Sequence, residues 1–209
     1  MRVLITAGPT REPIDPVRYI TNRSSGYMGK ALADAAIKAG HSTTLIFGPV
    51  NITTPTEARR IDVDTSRQMY DAVMAEFPNH DLLIMAAAVA DYRPRRIRNE
   101  KLERGGTLVV EFEATEDILA EAGKIKRLDQ RTVGFSLVSR GDLARSMEKL
   151  RRKNLDLIVY NTFETQGSKS IESVLLWPSG RSEELPSRSK ADLADILLKR
   201  AAELFASTD

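Results

Sequence analysis

Cysteine is absent from the 209 residues, which removes disulfides, thiolate nucleophiles and cysteine-based metal sites together. Histidine is almost as scarce. His41 and His80 are the two present, both in polar settings ahead of apolar stretches and neither with a second histidine or well-placed carboxylate pair nearby. Neither a catalytic histidine nor a protein-held metal site is expected. No apolar run approaches the roughly 20 residues that cross a bilayer. The first residues read as a strand, where a secretory leader would be basic and then apolar, so a cytoplasmic chain without membrane contact is expected. A large charge of one sign is also missing: 31 basic residues face 29 acidic ones, for a net charge of +2. There is therefore no global field for nucleic acid, although local clusters can still bind phosphate. Internal repeats and low-complexity linkers are absent too.

What remains is a chain with 42% hydrophobic residues, enough to bury one core as a single domain over residues 1–209, with at most a lobe attached. Short, continuously apolar runs alternate with helical patterns. Val3–Ala7, Thr43–Phe47, Asp81–Ala87, Thr132–Leu137 and Leu155–Tyr160 read as buried strands, and 58–63 as a shorter one. The first helix carries Met28, Leu32, Ala35, Ala36 and Ala39 on one face and stops near Gly40; the next begins at Thr65 or Ser66 and buries Met69, Ala72, Val73 and Phe77. Helices are also expected over 116–122, 142–153 and 190–205, the last with Leu193, Ile196, Leu197 and Leu204 inward. Thr107–Phe112 reads as a strand, and 173–177 with 181–185 as a hairpin around Pro178-Ser179-Gly180. Continuous apolar strands alternating with amphipathic helices predict a doubly wound, Rossmann-like α/β fold, mainly parallel, with helices on both sheet faces.

The run from Gly8 to Gly29, GPTREPIDPVRYITNRSSGYMG, links the first strand to the first helix. Ser24, Ser25 and Gly26 stand at the helix mouth, where unpaired amides and a partial positive charge favour an anion, and Gly26 and Gly29 allow close approach. The dinucleotide fingerprint is G-x-G-x-x-G directly after the strand, with an acidic residue closing the second strand. Here Pro9 follows Gly8, and the second strand runs into Gly48-Pro49. The pattern predicts a nucleotide-type fold adapted to another ligand; the alternative is that these glycines serve tight packing alone.

Ligands of open parallel sheets gather outside the carboxyl ends of the strands, a rule that brings Asn22, Asp91, Phe135 and Asn161 to one edge. On residue grounds Asn22 can donate to an oxyanion but reads first as an Asx turn or N-cap, and Asp91 is equally a ligand contact or a cap or solvent-facing turn residue. Arg93 to Arg104 holds five arginines and one lysine with glycines following, a charged flap or a solvated loop. Lys149 and Lys153 share a helix face at i,i+4, a spacing that most often marks solvated surface.

TAGPTREPIDPVRYITNRSSG, followed by AAAVADYRP, resembles the phosphopantothenoylcysteine synthetase family, the ligases of coenzyme A biosynthesis, over nearly the whole chain. The resemblance implies a ligase that joins 4'-phosphopantothenate to cysteine through an acyl-cytidylate formed from CTP, with Mg2+ on the triphosphate, in a homodimer that uses a small β extension for contact. It also implies association with a separate or fused phosphopantothenoylcysteine decarboxylase; residues 1–209 correspond to the ligase domain alone. It nominates Asn22 to hold the acyl group and Lys101 as the catalytic lysine of the flap. For the nucleotide it nominates Gly8, Ser24, Gly26, Gly29, Met85, Ala86, Ala87, Asp91, Glu116, Asp117, Ile118, Leu119, Phe135, Lys149 and Lys153. Ala87, Asp91 and Asn161 join Asn22 on the acid substrate. Two departures stand out: Lys101-Leu102-Glu103-Arg104 replaces the family's Lys-x-Lys-Lys, and Thr115-Glu116-Asp117-Ile118 replaces Asn-Pro-Asp-Ile, which bears on CTP against ATP.

Two other readings compete. A nicotinamide-dependent short-chain oxidoreductase needs a Tyr-x-x-x-Lys pair and an acidic ribose clamp, and neither Tyr92 nor Tyr160 has a lysine four residues on. A non-catalytic nucleotide-binding module would leave the flap and its lysines unexplained.

Overall fold

The computed structural model of the chain describes residues 1–138, 143–162 and 170–206. In chain order the elements are β1 (Arg2–Ala7), β2 (Arg11–Pro13), β3 (Tyr19–Thr21), α1 (Tyr27–Lys38), β4 (Ser42–Phe47), β5 (Arg59–Asp62), α2 (Ser66–Glu76), β6 (Leu82–Met85), β7 (Tyr92–Pro94), β8 (Phe112–Ala114), α3 (Ile118–Ile125), β9 (Arg131–Val138), α4 (Leu143–Arg152), β10 (Leu157–Thr162), β11 (Ser170–Leu176), β12 (Ser182–Ser189) and α5 (Lys190–Ala206). Among the described residues eight strands form one sheet in the order β12-β11-β10-β9-β6-β1-β4-β5. β10 through β5 in that order run parallel, while β11 and β12 add an antiparallel edge. The chain winds outward from β1 to β5, returns to β6 beside β1, and winds outward the other way. The switch between β1 and β6 opens a crevice at their carboxyl ends.

Each apolar run divides its side chains between two cores, because successive strand residues point to opposite faces. Val3, Ile5, Leu45, Phe47, Leu82, Ile84, Leu157 and Val159 pack with α1 and α5 on one face. Leu4, Ile46, Leu83, Met85, Ile158 and Tyr160 pack with α2, α3 and α4 on the other. The expected doubly wound sheet is thus the observed one, and the hairpin expected near 173–185 is its antiparallel edge. α2 starts with a reciprocal cap: Thr65 Oγ1 accepts from Gln68 N at 3.2 Å, and Gln68 Oε1 accepts from Thr65 N at 3.2 Å.

α1 can reach β1 only because residue 29 is glycine. A Cβ there would stand 2.2 Å from Ala7 Cβ and 2.9 Å from Ala7 Cα, far inside contact distance. Gly29→Ala is expected to push α1 off the sheet and to cost about 1–3 kcal/mol or more, read as a fall of roughly 4–10 °C in Tm. A melting curve that overlays the parent's would remove Gly29 as the contact that seats this helix.

Several expectations need correction. The strand expected over Thr107–Phe112 is not formed: Leu108 and Val109 are exposed at 51% and 80%, and the strand is β8, paired with β7 in the register Tyr92↔Ala114, Arg93↔Glu113. Its register follows a cross-strand ion pair, Arg93 Nε to Glu113 Oε1 at 3.0 Å, where apolar content pointed five residues earlier. The loop between β1 and α1 contains the β2–β3 hairpin, too short and polar to show a period of two. α3 begins at Ile118 with Asp117 as its cap, and Ala39, expected on the inner face of α1, is exposed. Asp142, expected to open the fourth helix, lies outside the described residues.

Candidate active site

A cavity of about 1350 Å³ occupies the crevice. It is walled by the carboxyl ends of β6, β9 and β10, by the mouth of α1, by the cap of α3 and by one face of α4. Gly26 caps α1 in the left-handed conformation, φ 73°, which glycine adopts without the penalty other residues bear. Ser24, Ser25 and Gly26 line the cavity at the positive end of the helix, with Gly26 N donating to Ser24 Oγ at 3.4 Å, and Gly29 belongs to the same lining.

Of the residues nominated from sequence, Asn22, Ser24, Gly26, Gly29, Met85, Ala86, Ala87, Asp91, Glu116, Asp117, Ile118, Leu119, Phe135, Lys149, Lys153 and Asn161 all line this one cavity. Two do not. Gly8 turns behind the wall, where its carbonyl accepts from Ala88 N at 2.9 Å. Lys101 is exposed on the flap and is not among the lining residues. Phe135 and Asn161 stand within β9 and β10, toward their carboxyl ends, where a position beyond them was expected.

Asn22 is neither an Asx turn nor a helix cap. Its Nδ2 donates to the carbonyls of Ala88 at 3.3 Å and Val89 at 2.9 Å, which ties the approach to α1 to the segment after β6. Asp91 makes no side-chain hydrogen bond or ion pair among the described residues, while its carbonyl accepts from Thr115 N at 3.0 Å. Asn161 Oδ1 accepts from Ser173 Oγ at 2.6 Å, so its amide nitrogen is the group left for a ligand.

Lys149 and Lys153 are half-buried rather than solvated surface, and only Lys149 lies on α4, since the helix ends at Arg152 and Lys153 follows it in the turn. Lys149 Nζ donates to Phe135 O at 2.6 Å. Burial, reinforced by the charge of Lys153 and opposed by Asp117 and Asp91, pushes the Lys149 ammonium down to about 8. Lys153 Nζ pairs with Asp117 Oδ1 at 2.6 Å, with the lysine side chain 12% exposed. Burial opposes ionisation of Asp117, but Lys153 and the amide of Ala120 outweigh it and hold the carboxyl below its ordinary value. Glu116 shows the same balance: its own backbone amide and the arginines Arg93 and Arg67 overcome the penalty of burial. Arg93 lies in β7, so the base of the flap is fastened to a residue of the cavity wall.

Sequence reasoning missed Lys190, Tyr27 and Thr115, which also line the cavity. Lys190 Nζ sits 5.8 Å over the Tyr27 ring, and burial lowers its pKa. It has no ion-pair partner among the described residues. Nothing in the local pattern places the first residue of α5 beside α1, because that contact exists only once both helices pack on one face of the sheet.

The chain is 44% identical over 210 residues to the coenzyme A biosynthesis bifunctional protein CoaBC of Vibrio vulnificus strain YJ016, covering 97% of this chain and 52% of that protein. It is 40% identical over 206 residues to CoaBC of Escherichia coli K12, covering 95% and 50%. The chain thus spans about half the length of the curated relatives it matches. A crystal structure of the C-terminal domain of CoaBC matches with a TM-score of 0.86 at 36% identity, covering 100% of this chain and 96% of that one. With residues 1–205 matched by the model of the DNA/pantothenate metabolism flavoprotein C-terminal domain, a cavity and fold of this kind place the chain in that family.

Proposed function

We propose that the chain is a phosphopantothenate–cysteine ligase of coenzyme A biosynthesis that works through an acyl-cytidylate. The observation that carries this reading is one cavity holding both a helix mouth suited to an anion and two half-buried lysines, Lys149 on α4 and Lys153 just past its end. The first half-reaction brings together two phosphate-bearing molecules, 4'-phosphopantothenate and CTP, and a site with separate cationic regions suits it. A carboxylate oxygen of 4'-phosphopantothenate attacks the α-phosphorus of CTP, the α–β bridging bond breaks, and pyrophosphate leaves. The cysteine amine then attacks the acyl carbon, loses a proton, and CMP departs with the electron pair of the acyl–oxygen bond.

Lys149 and Lys153 hold the nucleotide phosphates, with Phe135 beside the base and the backbone of Glu116 to Leu119 at its edge. Lys101, brought by the flap, neutralises charge that grows on the leaving pyrophosphate. Asn22 holds the acyl group. Both of its amide protons now go to Ala88 O and Val89 O, so donation to the acyl oxygen means releasing one, and the contact to Ala88, at 3.3 Å, is the longer. Glu116 and Asp117 are already paired with cations, which leaves Asp91 as the cavity carboxylate able to meet Mg2+ carried on the triphosphate. That donor set fits an ion that keeps substrate phosphates and water as most of its ligands, and its chemistry there is charge neutralisation.

A homodimer fits the apolar side chains left exposed on the two hairpins: Tyr19 and Ile20 on β3, with Tyr92 and Phe112 on β7 and β8. β2 packs against β7, so these hairpins form one surface. Association with a phosphopantothenoylcysteine decarboxylase, fused or separate, is consistent with relatives twice this length. No helix among the described residues is long and apolar enough to cross a membrane, in keeping with work in the cytoplasm.

The test is pyrophosphate release from phosphopantothenate and each of CTP, ATP, GTP and UTP, without cysteine. One pyrophosphate per active site with CTP, and further turnover once cysteine is added, is expected. No pyrophosphate with any nucleotide would favour a binding module, and tight NADH binding would favour the oxidoreductase reading.

A further inference from the structure

The flap that carries Lys101 is fastened at its tip as well as at its base. The fastening is a carboxylate with no exposure: the Asp15 side chain is 0% exposed, although it sits in the tight turn of the β2–β3 hairpin. Asp15 Oδ1 accepts from Val17 N at 2.8 Å and Arg18 N at 2.7 Å. Oδ2 accepts from the Arg18 guanidinium and from Leu102 N, the latter at 3.1 Å. The same guanidinium donates through Nη1 and Nη2 to Leu102 O at 3.2 and 3.1 Å. Nearby, Arg98 N donates to Ile14 O at 3.0 Å.

Closing the hairpin turn needs only the first two of these bonds, the usual pattern of an aspartate capping its own turn. The bond to Leu102, 87 positions away, serves something else. Burial would raise the pKa of Asp15, but the three amides and the guanidinium bring it to about 2, so the grip persists over the whole working range of pH. Lys101, by contrast, has no hydrogen bond or ion pair of its own among the described residues. Its placement depends on its neighbour.

We propose that Asp15 is the positioning residue of the flap: with Arg18 it holds both backbone polar groups of Leu102 and thereby sets where Lys101 is presented. This rests on the functional reading above, in which Lys101 serves pyrophosphate release.

Asp15→Asn swaps an acceptor oxygen for a donor and discharges the pair with Arg18. It is expected to slow pyrophosphate release about 30-fold, with CTP affinity changed by less than about threefold. In a Lys101→Gln background the same substitution is expected to cost less than about twofold more, because residues acting through one contact are not additive. Trypsin cleavage after Lys101 or Arg104 should quicken by about tenfold or more as the flap loosens. Were Asp15→Asn to lose the fold in a melting experiment, Leu102→Pro removes the flap's donor without touching the core, and the same results are expected of it, with trypsin cleavage read after Arg104 because a proline after Lys101 blocks cleavage there. Full, additive losses in the Lys101→Gln background, or an unchanged trypsin rate, would overturn the proposal. A parent chain that releases no pyrophosphate overturns the functional reading itself, a result separable from additivity in an active parent.

Discussion

Asn22→Asp is expected to stop the reaction after its first half, and Lys101→Gln before it. The aspartate keeps the size of the side chain but removes both amide protons and sets a negative charge where the acyl oxygen becomes anionic under attack by the amine. Loss of one such donor typically costs about 10²–10³ in rate. The first half needs no donor at that oxygen, so about one pyrophosphate per active site should still appear, and acyl-cytidylate should build up to nearly the protein concentration. Lys101→Gln acts on the leaving group of the first half, so it should show no burst. If acyl-cytidylate is supplied, cysteine addition should proceed within a few-fold of the parent. Quenched-flow measurement of pyrophosphate and of the intermediate distinguishes the two. Equal loss of both halves in both variants would contradict the assignment.

Lys149→Met should weaken CTP by about 30-fold at pH 7, the consequence of losing a charged hydrogen bond worth about 2 kcal/mol. The pH dependence is the sharper test. Burial and Lys153 bring Lys149 to about 8, so the ammonium is present at pH 7 and is largely neutral at pH 9. A lowered lysine pKa means charge lost as pH rises through the folded value, and triphosphate must then restore the proton as it binds. CTP affinity should fall by up to tenfold per pH unit above about 8. Titration calorimetry in two buffers of different ionisation enthalpy should show proton uptake at pH 8.5 to 9 and little at pH 7. Lys149→Arg, whose guanidinium stays charged, should flatten the profile. Affinity independent of pH between 7 and 9 would show that Lys149 does not carry the phosphates.

The fold was largely legible because its signals are local and repeated. Runs such as Val3–Ile5 and Leu82–Met85 are apolar at every position, the mark of a short strand buried on both faces, and the helices between them show a single apolar stripe. The two small hairpins escaped notice because three-residue strands have no room to display a period, and β7–β8 pairs through Arg93 and Glu113. The site was half legible. Ser24 to Gly26 stood out by their place before a helix, and the strand-end rule collected Asn22, Asp91, Phe135 and Asn161; all seven line the cavity. Lys149 and Lys153 carry no local mark that separates them from Arg151 and Arg152; on spacing alone all four are surface charge.

Residue order by itself settled the parallel sheet, its covering by helices on both faces, and a glycine-bearing turn opened by polar residues in place of a redox-coenzyme fingerprint, since each of these follows from periodicity and from backbone preferences within a few residues. Only the folded chain decided which cations are buried, that Lys190 reaches the cavity beside Tyr27, and that Asp15 holds a flap 87 positions away. Burial, desolvation and distant hydrogen bonds belong to pairs of residues brought together by packing, and no stretch of sequence contains both members of such a pair.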